Sequence, residues 1–198
     1  MPLYVVPDQA IHELIGFRFH NGCLAVGTQG RLPRVGHLLE SLADQPAATL
    51  VIAHELNNTE NLGAIMRIAA GFGAAGLVLG PRTADPFYRQ AIRVSMGAVF
   101  SLQIAESDDL PADLTLLRAA GFEVAATVTH ADALPLPRYR PAPRRAIVLG
   151  SEAHGLDAAT VAACSPRPRI SLPSVAAPVS ARSSIARWRA SASSGSTL

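Results

Sequence analysis

From Thr49 onward, short apolar runs alternate with amphipathic stretches of helical period, and few architectures accept that pattern. Strands are expected at Thr49–Ala53, Gly76–Leu79, Val99–Ile104, Glu123–Val128 and Ala146–Leu149. Helices are expected at Gly63–Gly71, Pro86–Val94, Leu110–Ala120 and Asp157–Cys164. Apolar runs without polar alternation belong to strands covered on both faces, and intervening helices supply that cover. The fold class is therefore α/β, a parallel sheet flanked by helices. With 49% of its 198 residues hydrophobic and 16% charged, the chain has apolar material for one ordinary core and a small appendage.

Ahead of this pattern, residues 1–45 read as a separate small piece, with a strand at Phe17–Val26 and a short helix at Val35–Leu42. Asp44-Gln45-Pro46 then punctuates the chain. Residues 46–190 form the main domain, and the Ser-rich 191–198 reads as a disordered tail. The Pro- and Arg-rich stretch Leu134–Arg145 is expected as an exposed loop. No apolar run has the length of a membrane helix, and the first twenty residues lack a signal-peptide pattern. Cys23 and Cys164 have no CxxC partner and read as cytosolic thiols, and the six His show no ligand spacing, so no metal is expected. Localisation is expected to be cytoplasmic.

Formal net charge is +2, every basic side chain being Arg, and no acidic residue follows Asp157. Arg167, Arg169, Arg182, Arg187 and Arg189 make the end of the chain basic. Arginine suits bidentate phosphate contacts, which favours nucleic acid as partner, although compositional drift in a tail gives the same count.

Three segments carry candidate chemistry. Gly71-Phe72-Gly73-Ala74-Ala75-Gly76 spells a dinucleotide fingerprint, but it follows a helix and opens a strand, the reverse of the order that places a pyrophosphate on a helix N-terminus. It reads instead as a helix C-cap and tight turn. The segment Asn57–Arg67 leaves the first strand and enters a helix whose apolar face includes Ile65, Ile68 and Ala69. Capping accounts for its Asn and Thr residues; Arg67 is either an ordinary solvent-facing arginine or a holder of phosphate or hydroxyl at the ligand-binding rim of the sheet. Gly150-Ser151-Glu152-Ala153-His154-Gly155 is a Gly-bounded turn after a buried strand, where backbone can approach a ligand closely or simply turn.

Taken in order, N-x-G-x-x-x-R at Asn61, Gly63 and Arg67 and G-x-E-x-x-G at Gly150, Glu152 and Gly155 resemble the SpoU/TrmH family of RNA methyltransferases, of the SPOUT class. Ala91–Ala98 resembles that family's passage between the two motifs, and the resemblance spans about residues 49–173. Residues 17–26 resemble the end of a small RNA-binding domain found before the catalytic domain in longer members. The resemblance implies transfer of the methyl group of S-adenosylmethionine to a ribose 2′-hydroxyl of rRNA or tRNA. It further implies a homodimer and a C-terminal trefoil knot that holds the cofactor. Carried over by position, Arg67, Asn61 and Glu152 are the catalytic residues, and Gly150, Gly155, Leu172 and Thr127 contact the cofactor. A nucleotide-binding α/β protein of unrelated function fits the order of motifs less well.

After the expected strand Arg169–Pro173 the chain departs from the family pattern. It reads Ser174-Val175-Ala176-Ala177-Pro178-Val179-Ser180 without the family's Ser-Leu-Asn, and Arg182, Arg187 and Arg189 stand where an apolar helix face is expected. A non-catalytic RNA-binding relative with a degenerate cofactor pocket is the alternative this departure raises.

Overall fold

The computed structural model describes residues 2–16, 23–130, 133–151, 153–165 and 169–171. The chain divides into two compact units, Met1–Arg31 and Leu32–Leu198. In the first, helix α1 (Asp8–Ile15) ends at Gly16, whose left-handed φ of 73° lets its N–H reach the carbonyl of His12. Residues 23–26 have no regular structure where the end of a strand was expected, and the rest of that expected strand, 17–22, lies outside the described residues. Residues 191–198 lie outside them as well.

The second unit begins earlier than the expected start at residue 46, because α2 (Val35–Ser41) is part of its core. Val35 and Leu38 are buried there, and Arg144 donates to the carbonyls of Leu42 (3.0 Å) and Gln45 (2.7 Å). The remaining elements run β1 (Ala48–Ala53), α3 (Thr59–Gly71), β2 (Gly76–Leu79), α4 (Arg89–Ser95), β3 (Ile104–Glu106), α5 (Leu110–Ala119), β4 (Glu123–Val128), β5 (Leu134–Pro135), β6 (Arg144–Leu149), α6 (Ala158–Ala163) and β7 (Arg169–Ser171). Among the described residues these strands all pair in parallel, in the order β3-β2-β1-β6-β4-β7-β5.

Side-chain alternation divides β1 and β2 between two cores. Leu50, Ile52 and Val78 join α2 and α5 on one face through Leu38, Leu114 and Leu117. Ala53, Leu77 and Leu79 join α3 and α4 on the other face through Leu62, Met66 and Ala91. On α3 the buried stripe is Leu62, Met66 and Ala69, four and three residues apart; Ile68, expected on the apolar face, is 54% exposed.

Two expectations fail locally. Val99–Ile104 is no strand: a one-turn 3-10 helix at Ala98–Phe100 precedes β3, and Val99 and Leu102 bury at a spacing of three. Met96 (φ 55°) and Gly97 (φ 86°) have just turned the backbone out of α4, which leaves room only for the short strand that follows. The stretch Leu134–Arg145 is not simply an exposed loop. It contains β5, a second 3-10 turn at Leu136–Arg138 and the start of β6, and it buries Tyr139, whose hydroxyl donates to Glu123 at 2.6 Å. The Gly-rich decoy is the turn expected: Gly73 has φ 71° and Gly76 opens β2.

Gly63 brings α3 against α4. A Cβ at Gly63 would lie 2.8 Å from both the Ala91 carbonyl oxygen and Val94 Cβ. Overpacking of this kind costs about 1–3 kcal/mol, more than the ~1 kcal/mol of helix propensity that alanine adds. Gly63→Ala is expected to lower the urea midpoint of unfolding; an unchanged or higher midpoint would show that the helices can separate freely.

Candidate active site at the carboxyl edge of the sheet

The register pairs Ala53 with Leu79 on one side and with Leu149 on the other, so three loops leave the same edge of the sheet side by side. Strand order reverses between β1 and β6, because β1 leads outward to β2 and β3 while β6 neighbours β4. In open parallel sheets the ligand crevice lies at the carboxyl ends at such a reversal.

After β6 the chain closes a narrow loop. The N–H of Gly155 donates to the Ser151 carbonyl at 2.8 Å, and the two residues form an isolated antiparallel bridge. Gly150 and Gly155 are thereby brought together: a Cβ on Gly150 would lie 2.5 Å from the carbonyl carbon of Gly155 and 2.8 Å from Leu156 N. Gly155 has φ 69°, and no atom of the described residues lies within 4 Å of where its Cβ would stand. Thr127, next along the edge on β4, donates its hydroxyl to the carbonyl of Val148 at 2.7 Å. It pairs with Ile170 of β7. Glu152 and Leu172, expected at the site from the sequence, lie outside the described residues, as does the altered segment 174–190.

After β1, Asn58 caps α3 by accepting from the N–H groups of Glu60 (2.8 Å) and Asn61 (3.2 Å). Asn61 is half-buried in the first turn, and Arg67 is exposed further along. At 100° per residue the two are about 120° apart around the helix, so α3 does not present them on one face. Of the sequence-derived residues, then, Gly150, Gly155 and Thr127 cluster around the end of β6, while Asn61 and Arg67 are held on the neighbouring α3.

The edge also holds a group that sequence reading missed. His54, the first residue after β1, is 5% exposed, and its Nε2 lies 3.0 Å from Asp157 and 3.5 Å from Glu55. Glu55 sits at φ 56° and pairs with Arg82, itself at φ 59°. Asp157 caps α6, accepting from the Thr160 N–H and hydroxyl at 2.8 Å each. Chiefly through that backbone N–H, its carboxyl is lowered to about 2. The ligating atoms of His54, Glu55 and Asp157 lie within 4.8 Å of one another, but Arg82 and Thr160 already occupy the carboxylates, which makes the set an ion-pair network tying three loops. A polar pair directly after the first apolar run was the available signal; the left-handed backbone at Glu55 had none.

A sequence profile of the SpoU rRNA Methylase family matches residues 48–177. An uncharacterised tRNA/rRNA methyltransferase of Mycobacterium bovis is 34% identical over 172 residues, 85% of this chain and 58% of that protein. The 23S rRNA (guanosine-2′-O-)-methyltransferase RlmB of Acinetobacter baylyi is 26% identical over 78% of this chain and 63% of its own length. Among solved structures, the AdoMet-bound rRNA methyltransferase of Sinorhizobium meliloti superposes with a TM-score of 0.63 at 25% identity, covering 76% of this chain and 56% of that one. The chain thus spans little more than half the length of the Mycobacterium relative. With the ordered motifs, the parallel sheet and the profile spanning most of its length, the chain belongs to the SpoU rRNA methylase family.

Proposed function

We propose that this chain carries the catalytic domain of an S-adenosylmethionine-dependent RNA methyltransferase that modifies a ribose 2′-hydroxyl of rRNA or tRNA in the cytoplasm. The observation that carries the reading is the self-closed Gly150–Gly155 loop at the carboxyl edge, where Gly150 packs directly on the main chain of Gly155 and neither glycine puts a side chain over the backbone near Thr127. Such a loop fits a ligand held largely through backbone, and among the described residues nothing covers Gly155. Gly150, Gly155, Thr127 and Leu172 would hold the cofactor, which supplies an electrophilic methyl group when bound. The cofactor assignment is supported by the family and by the AdoMet-bound Sinorhizobium relative; the ribose assignment by the name of the Acinetobacter relative.

Arg67, Asn61 and Glu152 are assigned to the RNA side. A guanidinium has a pKa above about 12, so Arg67 is a poor base at neutral pH. Its role is to orient the attacking hydroxyl and stabilise the alkoxide that develops on it. The N-terminal residues serve as part of an RNA-binding piece, and two chains pair as a homodimer. A knotted C-terminus is in keeping with the position of β7, the last strand among the described residues, between the earlier β4 and β5.

Titration of the purified chain with S-adenosylhomocysteine tests the reading. Saturable binding at about one site per chain, followed by methyl transfer to unmodified rRNA or tRNA, is the expected result. A folded chain that binds no cofactor but retains RNA would overturn it in favour of the non-catalytic relative, the alternative favoured by the missing Ser-Leu-Asn after Pro173.

A further inference from the structure

His54 reaches both feet of the Gly150–Gly155 loop. Its main-chain N–H donates to the carbonyl of Leu149, the residue before the loop, at 2.9 Å. Its ring Nε2 meets Oδ2 of Asp157, two residues beyond Gly155, at 3.0 Å. The Asp157 carboxylate only accepts, so the ring's Nε2 carries the donated proton. The other ring nitrogen, Nδ1, is buried and has no hydrogen-bond partner among the described residues. It is packed against Gly80, where an added Cβ would lie only 2.9 Å away. Any side chain at Gly80 would crowd the ring on that side, and the buried Nδ1 leaves Nε2 as the ring's one hydrogen-bonded nitrogen among the described residues. The groups facing the ring are Asp157 of the α6 cap and Glu55 of its own loop, the latter neutralised by Arg82.

We propose that His54 is a positioning residue for the cofactor: it clamps the two ends of the Gly150–Gly155 loop and so fixes the backbone that S-adenosylmethionine meets. The clamp is a property of the loop; its purpose rests on the methyltransferase reading given above. His54 itself touches no reacting group. It acts through Asp157 and Leu149, which bracket the loop in sequence as they do in space.

The test compares wild type with His54→Leu, His54→Gln and Asp157→Ser by amide hydrogen exchange and by titration with S-adenosylhomocysteine. Gln can place an amide nitrogen where Nε2 stands, whereas Leu removes the donor and keeps the bulk. Ser retains a capping oxygen for α6 but is too short to reach His54. The expected result is faster exchange at the Gly155 amide and about tenfold weaker cofactor binding in His54→Leu, with recovery in His54→Gln. Asp157→Ser reproduces the loss, and the two changes together add little, since both open one contact. Retention of unmodified rRNA is expected to stay within twofold. Unchanged Gly155 exchange in His54→Leu, or in Asp157→Ser if the Leu variant does not fold, overturns the clamp. Equal losses in cofactor and RNA binding overturn the positioning role in favour of general destabilisation. Wild type that binds no S-adenosylhomocysteine refutes the methyltransferase reading and the stated purpose with it, while the exchange data still decide whether the clamp exists.

Discussion

Gly150→Val is expected to weaken S-adenosylhomocysteine binding by at least about a hundredfold. The first atom of any side chain at this position would fall 2.5 Å from the carbonyl carbon of Gly155 and 2.6 Å from its oxygen. Both are main-chain atoms, so no rotamer change can make room. The loop must open, and losing one or two backbone hydrogen bonds to the bound cofactor, at about 1.5–3 kcal/mol each where a charged group is involved, amounts to about a hundredfold. The strand that carries the loop, β6, is buried through Val148 and its neighbour β1 through Ile52, so the sheet is expected to survive the change. A titration of the variant, with circular dichroism to confirm that it is folded, decides the matter. Gly155→Ala offers a graded comparison. There the space is open and only the left-handed φ of 69° opposes a side chain, at about 1–2 kcal/mol. Wild-type affinity in Gly150→Val would remove this loop from the cofactor site.

Arg67→Ala is expected to lower kcat for methyl transfer by about 10²–10³ while leaving cofactor affinity unchanged. Removal of one preorganised donor aimed at developing negative charge has effects of this size. Arg67 is exposed on α3, away from the buried stripe of Leu62, Met66 and Ala69, so the change should move stability by no more than about 0.5 kcal/mol. Arg67→Lys keeps the charge but loses the planar fork and is expected to recover only part of the rate. Single-turnover transfer at saturating cofactor separates this effect from binding. A variant with wild-type kcat would return Arg67 to an ordinary solvent-facing arginine.

How much of this was legible beforehand differs from element to element for physical reasons. The strands at Gly76–Leu79 and Glu123–Val128 have the expected limits, because a run of buried apolar residues flanked by Gly or by charge can hardly be anything else in a parallel sheet. Asp157 was expected to open α6 and does cap it. Val99–Ile104 misled because Val99 and Leu102 are apolar at a spacing shared by a 3-10 turn and a ragged strand. Tyr139 was missed because it packs against Ala125 and Ile170, and its hydroxyl meets Glu123, all distant in sequence. The attachment of α2 to the sheet was not legible for a similar reason: Arg144, from far along the chain, ties residues 42 and 45 to β6.

The candidate site divides in the same way. Arg67, Gly150 and Gly155 were singled out from local pattern, since a helix entry at the sheet rim and a tight turn each demand particular residue types within a few positions, whereas Asn61 and Gly63 were named through the resemblance of the ordered motifs to the SpoU/TrmH family. Local pattern likewise settled the α/β class, for period and burial are written into consecutive side chains. Strand order, the contact of Gly150 with Gly155, and the His54–Asp157 bond across 103 positions were decided only in three dimensions. Nothing in one segment records which distant segment will lie beside it: that choice is made by the packing of both sheet faces at once, and His54 gains its partner from that choice.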